Sequence, residues 1–225
     1  MSLLIFRAFT LFTLRVAAVG LCLFYTAGTL DFWEAWLFLP AFFIPDLLII
    51  IYLLRNDPDL LKRRLKGGEL AEPRISQKAI MVVIKFCFAA LLLVSGFDHH
   101  FGWPHIPAVL VLAADVGVLV GFWIHFRVFK ENTFASAIVT IVPEQKVIST
   151  GPYAVVRHPY YSGALVVDCC IPIALGSWWG LPAVLGVLGV IVLRLLDEEK
   201  LLRQSLPGYG DYCRKVPYRL IPRIW

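Results

Sequence analysis

The sequence is poor in charged residues. Only 16% of its 225 residues are Asp, Glu, Lys or Arg, whereas 59% are hydrophobic. A soluble domain usually has about 25% charged residues and about 45–50% apolar ones, so an ordinary water-soluble globule is not expected. A disordered chain is not expected either, because it would need low hydrophobicity and high charge. The composition therefore predicts an all-α, polytopic integral membrane protein.

The chain also lacks the motifs of several common sites. Its five cysteines contain no C-x-x-C pair, and four of them lie inside apolar segments, so neither a metal site nor a disulfide framework is predicted. No G-x-G-x-x-G motif is present, which argues against a Rossmann-type cofactor site. The first apolar run has no small-residue cleavage site and is interpreted as a retained span, not a signal peptide.

Long apolar segments are what the sequence has instead. They lie near 4–28, 32–54, 79–97, 106–128, 161–175 and 182–196. The first four each approach the length of about 20 residues that a spanning helix needs. The last two are shorter, and the stretch 172–182 at their junction contains two prolines and two glycines, which interrupt helices. We predict four transmembrane helices and a C-terminal helical hairpin, whose arms face each other and are each about 20–24 Å long.

The basic residues indicate an orientation. They are concentrated in 55–78 and in the tail 197–225, whereas the short connections 29–31 and 98–105 contain no Lys or Arg. By the positive-inside rule, the basic loop, the tail and both termini are expected on the cytoplasmic side. Anionic lipid headgroups of the bilayer are then the expected partner of the positive charge, and nucleic acid is not.

The basic loop 55–78 contains a short amphipathic pattern. Leu60, Leu61 and Leu65 alternate with basic residues, a pattern typical of a helix that lies on the membrane surface. Pro58 would begin this helix and Gly67-Gly68 would end it. We divide the chain into N-terminal transmembrane helices with this loop, 1–128, and a core of polar loop, hairpin and cytoplasmic tail, 129–225.

Several polar residues occur where they are costly. The charged residues inside apolar runs are Arg15, Asp46, Lys85, Asp115 and Asp168. A charge at the bilayer centre costs several kcal/mol, so such residues form buried ion pairs, line a polar cavity open to the cytoplasm, or belong to a proton or transport path. The histidines of the outer connection, His99, His100 and His105, lack nearby Cys or paired carboxylates and are not predicted to bind metal.

Two polar stretches flank the hairpin. They are 144–163 and 194–203, and both should lie at its cytoplasmic base. In the first, Arg157 and His158 stand directly before Pro159, a residue suited to the first turn of a helix, whose exposed N–H groups favour anions. In the second, Arg194 with Glu198 and Glu199 with Arg203 have the i,i+4 spacing of salt bridges on a helix surface. The stretches are therefore either a polar site or simply interfacial charge.

The order of these residues resembles a known family. The matching residues are Gly151-Pro152-Tyr153, Arg157-His158-Pro159, Tyr161, Gly163, Glu198-Glu199 and the ending Tyr209-x-x-Tyr212-x-x-x-Val216-Pro217. With the hairpin between them, they resemble the signature of the isoprenylcysteine carboxyl methyltransferase family. They are also similar to the related phospholipid N-methyltransferases. The resemblance covers about 130–222.

The resemblance implies a membrane-embedded methyltransferase that uses S-adenosylmethionine and releases S-adenosylhomocysteine. Carried over by position, the implied cofactor-binding residues are Gln145, Val147, Ile148, Gly151, Tyr153, His158, Tyr161, Glu198 and Glu199. The implied catalytic residues are Arg157 and Arg194, which would hold an anionic substrate group, and Glu199. The family commonly has His at position 145, where this chain has Gln.

The acceptor is expected to be a lipophilic or lipidated molecule that enters from the membrane. The resemblance to isoprenylcysteine carboxyl methyltransferases favours an isoprenylcysteine-type carboxylate as the acceptor, and a carboxylate needs no general base. If the acceptor is instead a phospholipid or another lipid amine or thiol, His158 or Glu199 would take its proton. Two further functions are compatible with the sequence: a sterol-type reductase that uses NADPH, and a non-enzymatic transporter or scaffold.

Overall fold

The computed structural model describes residues 1–67, 72–104, 106–140 and 144–225, and this part of the chain contains helices and no strand. The elements are α1 (Ser2–Ala27), α2 (Trp33–Asn56), α3 (Pro58–Leu65), α4 (Ile75–Phe101), α5 (Ala108–Glu131), a 3₁₀ turn (Gly151–Ala154), α6 (Pro159–Ala174), α7 (Leu181–Ser205) and α8 (Tyr209–Lys215). Helices α1, α2, α4 and α5 are long and apolar enough to cross a membrane. The predicted all-α membrane bundle is confirmed.

The outer surface of these helices is apolar. Large side chains such as Phe6, Leu21, Leu48 and Val109 are more than half exposed. In water this surface would be unfavourable, whereas in a bilayer it meets acyl chains while the helices satisfy their own backbone hydrogen bonds. The protein is therefore an integral membrane protein.

Glycines determine how α6 packs. A Cβ atom on Gly121 of α5 would lie 2.8 Å from the carbonyl oxygen of Gly163 on α6, and a Cβ atom on Gly163 would lie 2.8 Å from the His125 ring. Small residues let two helices approach this closely. As a result α6 packs mainly against α5, and α7 packs mainly against α4. The hairpin arms contact each other as predicted, and each also packs more extensively against another helix.

The hairpin reaches the far end of the bundle. The Ser177 hydroxyl at its tip donates to Asp98 near the end of α4 at 2.6 Å, and the Ile106 amide before α5 donates to the Gly176 carbonyl at 3.4 Å. The tip is thus level with the connection between α4 and α5. Helix α7 continues to Ser205, past the apolar segment that ends near residue 196, and so includes the polar stretch 194–203.

Helix α3 begins at Pro58 as predicted, and the Asp57 side chain caps it by accepting from the Leu60 amide at 2.9 Å. Its apolar face does not lie on the membrane. Leu60 and Leu61 are 0% and 2% exposed and belong to the main hydrophobic core. The prediction of a membrane-surface helix is wrong because protein, not lipid, covers this face.

Two residues named in the sequence interpretation, Gly68 and His105, lie outside the described residues. The division at residue 128 stays a prediction. The main hydrophobic core is continuous across that position, since it includes Val118 and Phe122 of α5 together with Val167 and Ile171 of α6.

Candidate active site

A cavity of about 640 Å³ lies at the base of the hairpin. We call it the main cavity, and this volume is within the usual range for small-molecule sites. Nine residues of the predicted site line it: Gln145, Val147, Ile148, Tyr153, Arg157, His158, Tyr161, Arg194 and Glu198. Two others, Gly151 and Glu199, do not. The structure thus brings most of the predicted residues to one cavity, while their roles stay predictions.

Glu199 lies behind the cavity wall, in an ion-pair cluster. One carboxylate oxygen is 2.7 Å from Arg157 Nε and 3.3 Å from His158 Nε2, and the other is 3.1 Å from Arg219 Nε. The side chain is only 5% exposed. Burial favours the neutral acid, but the hydrogen bonds from His158 and Arg157 outweigh it and hold the pKa of Glu199 at about 2. Glu199 is therefore an ionised anchor for the two neighbours that do face the cavity.

The C-terminal tail completes this cluster. Arg157 Nη1 donates to the carbonyls of Val216 and Pro217, each at 2.9 Å. The backbone amides of Arg157 and His158 donate to the carbonyls of Tyr218 and Arg219. The tail therefore holds the Arg157 side chain in place. This contact links two parts of the quoted motif, Arg157-His158 and Val216-Pro217, that are far apart in the sequence.

Arg194 is the centre of a second buried network. Its Nε donates to the Tyr161 hydroxyl at 3.0 Å, its Nη1 to Gln77 Oε1 at 3.1 Å, and its Nη2 to Glu72 Oε1 at 3.2 Å and to the Ala137 carbonyl at 2.9 Å. All three nitrogens therefore have protein acceptors. The predicted role of Arg194 in holding an anionic substrate stays a prediction, and the geometry gives it a structural role.

The ion pairs run between elements and not along α7. Arg194 pairs with Glu72, and Glu199 pairs with Arg157, so the i,i+4 pairs suggested by the sequence are not the partners found. Asp197 makes two further contacts between elements, because its carboxylate accepts hydrogen bonds from Arg74 at 2.6 Å and from Gln77 at 2.5 Å. The segment 72–77 is thereby fixed against α7 beside the main cavity.

Tyrosines form much of the cavity wall. The rings that line it belong to Tyr153, Tyr160, Tyr161, Tyr209 and Tyr212. Burial raises the pKa of Tyr153 to about 12, so its hydroxyl, which accepts from Asn132 at 2.8 Å, stays protonated. The Tyr212 hydroxyl donates to the Tyr153 carbonyl at 2.7 Å, and the Tyr161 hydroxyl donates to Glu198 Oε2 at 2.6 Å.

Tyr209 differs from the other tyrosines of the wall. Its side chain is buried, and its hydroxyl has no hydrogen-bond partner among the described residues. A buried polar group without a partner carries an energetic penalty unless a ligand supplies the hydrogen bond. The Tyr209 hydroxyl is thus an open position for a ligand.

Gly151 shapes the turn that carries Tyr153. Its φ is +56°, and a Cβ atom would lie 2.8 Å from Glu131 Oε2. Glycine adopts this left-handed conformation without the steric cost that other residues meet. Gly151 therefore contributes through the backbone, one turn away from the cavity.

A second cavity of about 600 Å³, here called the inner cavity, adjoins the main one. Residues that line both are Arg15, Arg64, Lys85, Tyr160, Ala164 and Asp168. Arg15 also pairs with Asp46 at 2.8 Å between α1 and α2. One ion pair between charged residues of the apolar runs is thus present, and three of these residues line both cavities, while their roles stay predictions. Asp115 lines neither cavity, and its carboxylate oxygens have no hydrogen-bond partner among the described residues.

Sequence reasoning missed Glu72, Gln77 and Tyr209. Glu72 is 1% exposed and also accepts from the Val139 amide at 3.2 Å. The available signal was an acidic residue within a basic loop, which is weak because such residues are usually solvated. Tyr209 was part of the quoted motif. The motif alone does not show whether its side chain lines a cavity or only packs in the protein core.

Parts of the chain are similar to known proteins. Residues 109–207, somewhat under half of the chain, match the family model described as phospholipid methyltransferase. The Delta(14)-sterol reductase TM7SF2 of Mus musculus is 31% identical over 84 residues, which are 36% of this chain and 20% of that protein. The chain thus covers about a fifth of the length of this curated relative. The family match, together with the four apolar helices, supports a membrane methyltransferase.

Proposed function

We propose that the protein transfers a methyl group from S-adenosylmethionine, bound in the main cavity, to a lipophilic acceptor. The observation that carries this proposal is the convergence of seven of the nine residues implied to bind the cofactor on one cavity. That cavity also falls largely within the segment that matches the methyltransferase family model.

The cavity suits a sulfonium. This cation has no N–H or O–H donor at its charged centre, so aromatic faces are better partners for it than hydrogen-bond acceptors. Five tyrosine rings line the cavity, and burial keeps the Tyr153 phenol neutral. The rings therefore offer a cation-binding wall without placing a phenolate beside the methyl group.

The polar ends of the ligand also have fitting partners. Glu198 has one oxygen bonded to Tyr161 and is suited to accept from a ribose hydroxyl or an ammonium group. The Tyr209 hydroxyl supplies an additional donor. Glu199 acts as a positioning residue, since it holds Arg157 and His158 at the wall. S-adenosylmethionine supplies the electrophilic methyl group, and the protein supplies alignment, which accounts for most of the acceleration in such a displacement.

The acceptor is less well defined. The matching family model is named for phospholipids, whereas the motif resembles isoprenylcysteine methyltransferases. Both acceptor classes keep a tail in the bilayer and bring a headgroup to the cavity. The isoprenylcysteine carboxylate and the phospholipid amine are therefore both candidate acceptors.

A sterol-type reductase is the second candidate, because 84 residues of the chain are 31% identical to the mouse Delta(14)-sterol reductase TM7SF2. NADPH carries several phosphate groups and needs free cationic partners. All three nitrogens of Arg194 donate to the protein, and Arg157 donates to Glu199 and the tail. Arg157 and Arg194 are thus poorly placed to bind phosphates, which favours the methyltransferase.

Calorimetry with S-adenosylhomocysteine and with NADPH, on the purified protein in a neutral detergent, separates these candidates. We expect S-adenosylhomocysteine to bind and NADPH not to bind. Binding of NADPH alone would support the reductase, and binding of neither would contradict both.

Transfer of labelled methyl from S-adenosylmethionine to extracted host lipids then tests the reaction itself. We expect label in a lipid fraction. A Tyr161→Phe variant, which removes the hydroxyl that bonds Glu198 and Arg194, should reduce the transfer. An exposed substitution, Lys62→Gln, should leave it unchanged.

A further inference from the structure

The wall of the main cavity has more basic than acidic residues. Among the described residues, the Arg and Lys residues that line it are Arg15, Arg64, Lys85, Lys146, Arg157 and Arg194. Its acidic residues, within the same part of the chain, are Asp168 and Glu198. Repulsion from such a wall would oppose a ligand with a positive charge. A cationic methyl donor can bind there only if much of the wall charge is cancelled.

Carboxylates behind the wall cancel part of this charge. Three of the wall arginines each pair with a carboxylate that does not itself line the main cavity. These pairs are Arg15 with Asp46, Arg157 with Glu199, and Arg194 with Glu72. The arginines thus keep their hydrogen bonds at the wall, while their charge is balanced from outside the cavity.

Glu198 differs from these paired groups. Its Oε2 accepts from the Tyr161 hydroxyl at 2.6 Å, and no Arg or Lys in the described part of the chain lies within ion-pair distance of it. Its carboxylate therefore faces the main cavity with its charge available to a ligand.

The ion pair between Arg194 and Glu72 keeps Glu198 in this state. Arg194 and Glu198 are four residues apart on α7, the spacing at which Arg and Glu pair on a helix surface. Instead, Arg194 Nη2 lies 3.2 Å from Glu72 Oε1. The Tyr161 hydroxyl lies between Arg194 and Glu198, because it accepts from Arg194 Nε at 3.0 Å and donates to Glu198. Glu72 thus provides Arg194 with a partner other than Glu198.

Glu72 is held firmly in the protein. Its side chain is 0% exposed, and its two oxygens lie 3.2 Å and 3.3 Å from the Val139 amide that donates to them. Charges that are buried in this way are screened little by salt. Glu72 also lies before residue 109, outside the segment that matches the family model. The family match therefore assigns it no role.

We propose that Glu72 is a positioning residue that makes the main cavity prefer the cationic methyl donor over its neutral thioether product. The proposal rests on the proposed function and adds a determinant of its ligand specificity. Glu72 does not line the cavity and acts through Arg194. By balancing the charge of Arg194, it leaves Glu198 as an unpaired carboxylate at the wall.

Methyl transfer changes the charge that this carboxylate meets. The methyl group goes to the acceptor, and the electron pair of the carbon–sulfur bond stays on sulfur, which becomes neutral. An anionic wall therefore attracts the donor more strongly than the product. The same feature favours release of S-adenosylhomocysteine and binding of the next S-adenosylmethionine.

The test compares the affinities of S-adenosylmethionine and S-adenosylhomocysteine, measured by calorimetry on delipidated protein in a neutral detergent. The two ligands differ by one methyl group and one positive charge, so the ratio of their affinities reports selection by charge. A looser cavity would weaken both ligands alike and leave this ratio unchanged. Glu72→Gln removes the charge but keeps a hydrogen-bond acceptor, whereas Glu72→Asp keeps the charge.

In Glu72→Gln we expect the affinity for S-adenosylmethionine to fall about tenfold more than that for S-adenosylhomocysteine. Two unit charges about 10 Å apart change an affinity by roughly this factor at an effective dielectric constant of about 20. Glu72→Asp should keep the ratio within about threefold of wild type, since the charge remains. An unchanged ratio in Glu72→Gln would overturn the proposal.

Asp197→Asn is the matched control. Asp197 also joins the segment before α4 to α7, but its partner Arg74 does not line the main cavity. This variant should keep the wild-type ratio. A loss of selectivity as large as that of Glu72→Gln would overturn the proposal, because the effect would then come from the contact between the elements and not from Arg194.

Two further variants keep the proposal testable if Glu72→Gln does not fold, since a buried arginine without its carboxylate is strongly destabilising. Glu198→Gln should lower the ratio about tenfold, the same factor as for Glu72→Gln. The double variant Glu72→Gln with Arg194→Gln removes both charges and should keep the wild-type ratio. An unchanged ratio in Glu198→Gln, or a lowered ratio in the double variant, would overturn the proposal.

Failure of the proposed function has a different signature. The wild-type protein would then bind neither S-adenosylmethionine nor S-adenosylhomocysteine, which would overturn both proposals. Binding of both ligands, with a ratio that does not respond to Glu72 or Glu198, would overturn the specificity role alone.

Discussion

Tyr209 and Tyr212 make a contrast one helical turn apart. Both side chains are buried, and burial raises the pKa of both phenols, so each hydroxyl carries a proton that it can donate. The Tyr212 hydroxyl donates to the Tyr153 carbonyl, whereas the Tyr209 hydroxyl has no partner among the described residues. We therefore expect the Tyr212 hydroxyl to contribute to stability and the Tyr209 hydroxyl to contribute to ligand binding.

Replacement of Tyr209 by Phe should weaken S-adenosylhomocysteine binding without reducing stability. The hydroxyl makes no described protein bond to lose, and a ligand hydrogen bond is worth about 1 kcal/mol, or roughly fivefold in affinity. Tyr212→Phe should show the opposite pattern, with lower thermal stability and nearly unchanged affinity. Calorimetry and thermal unfolding in detergent measure both. Equal losses of stability in the two variants would contradict the assignment.

Glu199 should make stability depend on pH in the acid range. Its pKa falls from the ordinary 4.5 to about 2 in the folded protein, which corresponds to about 3 kcal/mol of stabilisation. Because the folded pKa is the lower one, this stabilisation is complete above about pH 4.5 and is lost as the pH falls towards 2. The free energy of unfolding of Glu199→Gln should thus be lower than that of wild type at pH 7. The difference between the two proteins should be smaller at pH 3.

The measurement is denaturant or thermal unfolding of both proteins at the two pH values. Asp211→Asn is the matched control, because its exposed pair with Arg214 contributes little at any pH. A gap between wild type and Glu199→Gln that is equal at pH 7 and pH 3 would mean that the carboxylate charge is not what stabilises the cluster.

At the residue scale, the motif predicted the cavity wall better than the contacts behind it. Seven of the residues implied to bind the cofactor line the main cavity. The partners are Glu72, just before α4, and Gln77, in the first turn of α4, and both lie more than 100 residues away from Arg194 in the sequence. A tertiary contact of that kind leaves no spacing in a sequence, so i,i+4 rules supplied the wrong partners.

At the scale of elements, the closest approach is between α5 and α6 at Gly121 and Gly163. This contact positions the N-terminus of α6, and with it His158 and Tyr161, beside the main cavity. A side chain at either glycine would separate the helices. The site therefore depends on two residues that never touch a ligand.

Substitution of Gly121 by Ala should destabilise the protein by about 1–3 kcal/mol, the usual cost of overpacking. The new Cβ atom would lie 2.8 Å from the Gly163 carbonyl oxygen. Gly189→Ala on α7 is the control, since nothing lies within 4 Å of its added Cβ atom, and helix propensity favours alanine. Thermal unfolding measures the stability of both variants. An equal loss of stability in Gly189→Ala would show that the effect of Gly121→Ala does not come from helix packing.

Length and hydropathy predicted the helices well but not their surroundings. The four spans follow from apolar runs, and α1 and α4 end at Gly28 and Gly102, both in the left-handed conformation. The environment of α3 does not follow, because a basic amphipathic helix has the same pattern on a membrane as on a protein surface. Only the position of its neighbours places Leu60 and Leu61 in the core.

At the scale of the whole molecule, the two ends of the bundle differ in chemistry. One end contains the hairpin tip, the short connection 29–31 and the Asp98 cluster. The other contains the main cavity, the segment 72–77 and the basic tail. The fold thus collects the polar stretches at one end, and the positive-inside rule predicts that this end faces the cytoplasm.

Cysteine labelling tests that orientation. Thr29→Cys and Lys215→Cys place exposed cysteines at opposite ends, and site-resolved mass spectrometry distinguishes them from the five native cysteines. In intact cells an impermeant maleimide should label position 29, and it should label position 215 only after permeabilisation. The reverse pattern would put the main cavity outside the cell, where it would have no supply of an intracellular methyl donor. The orientation is therefore a condition that the proposed function must meet, and it is measured without any assay of activity.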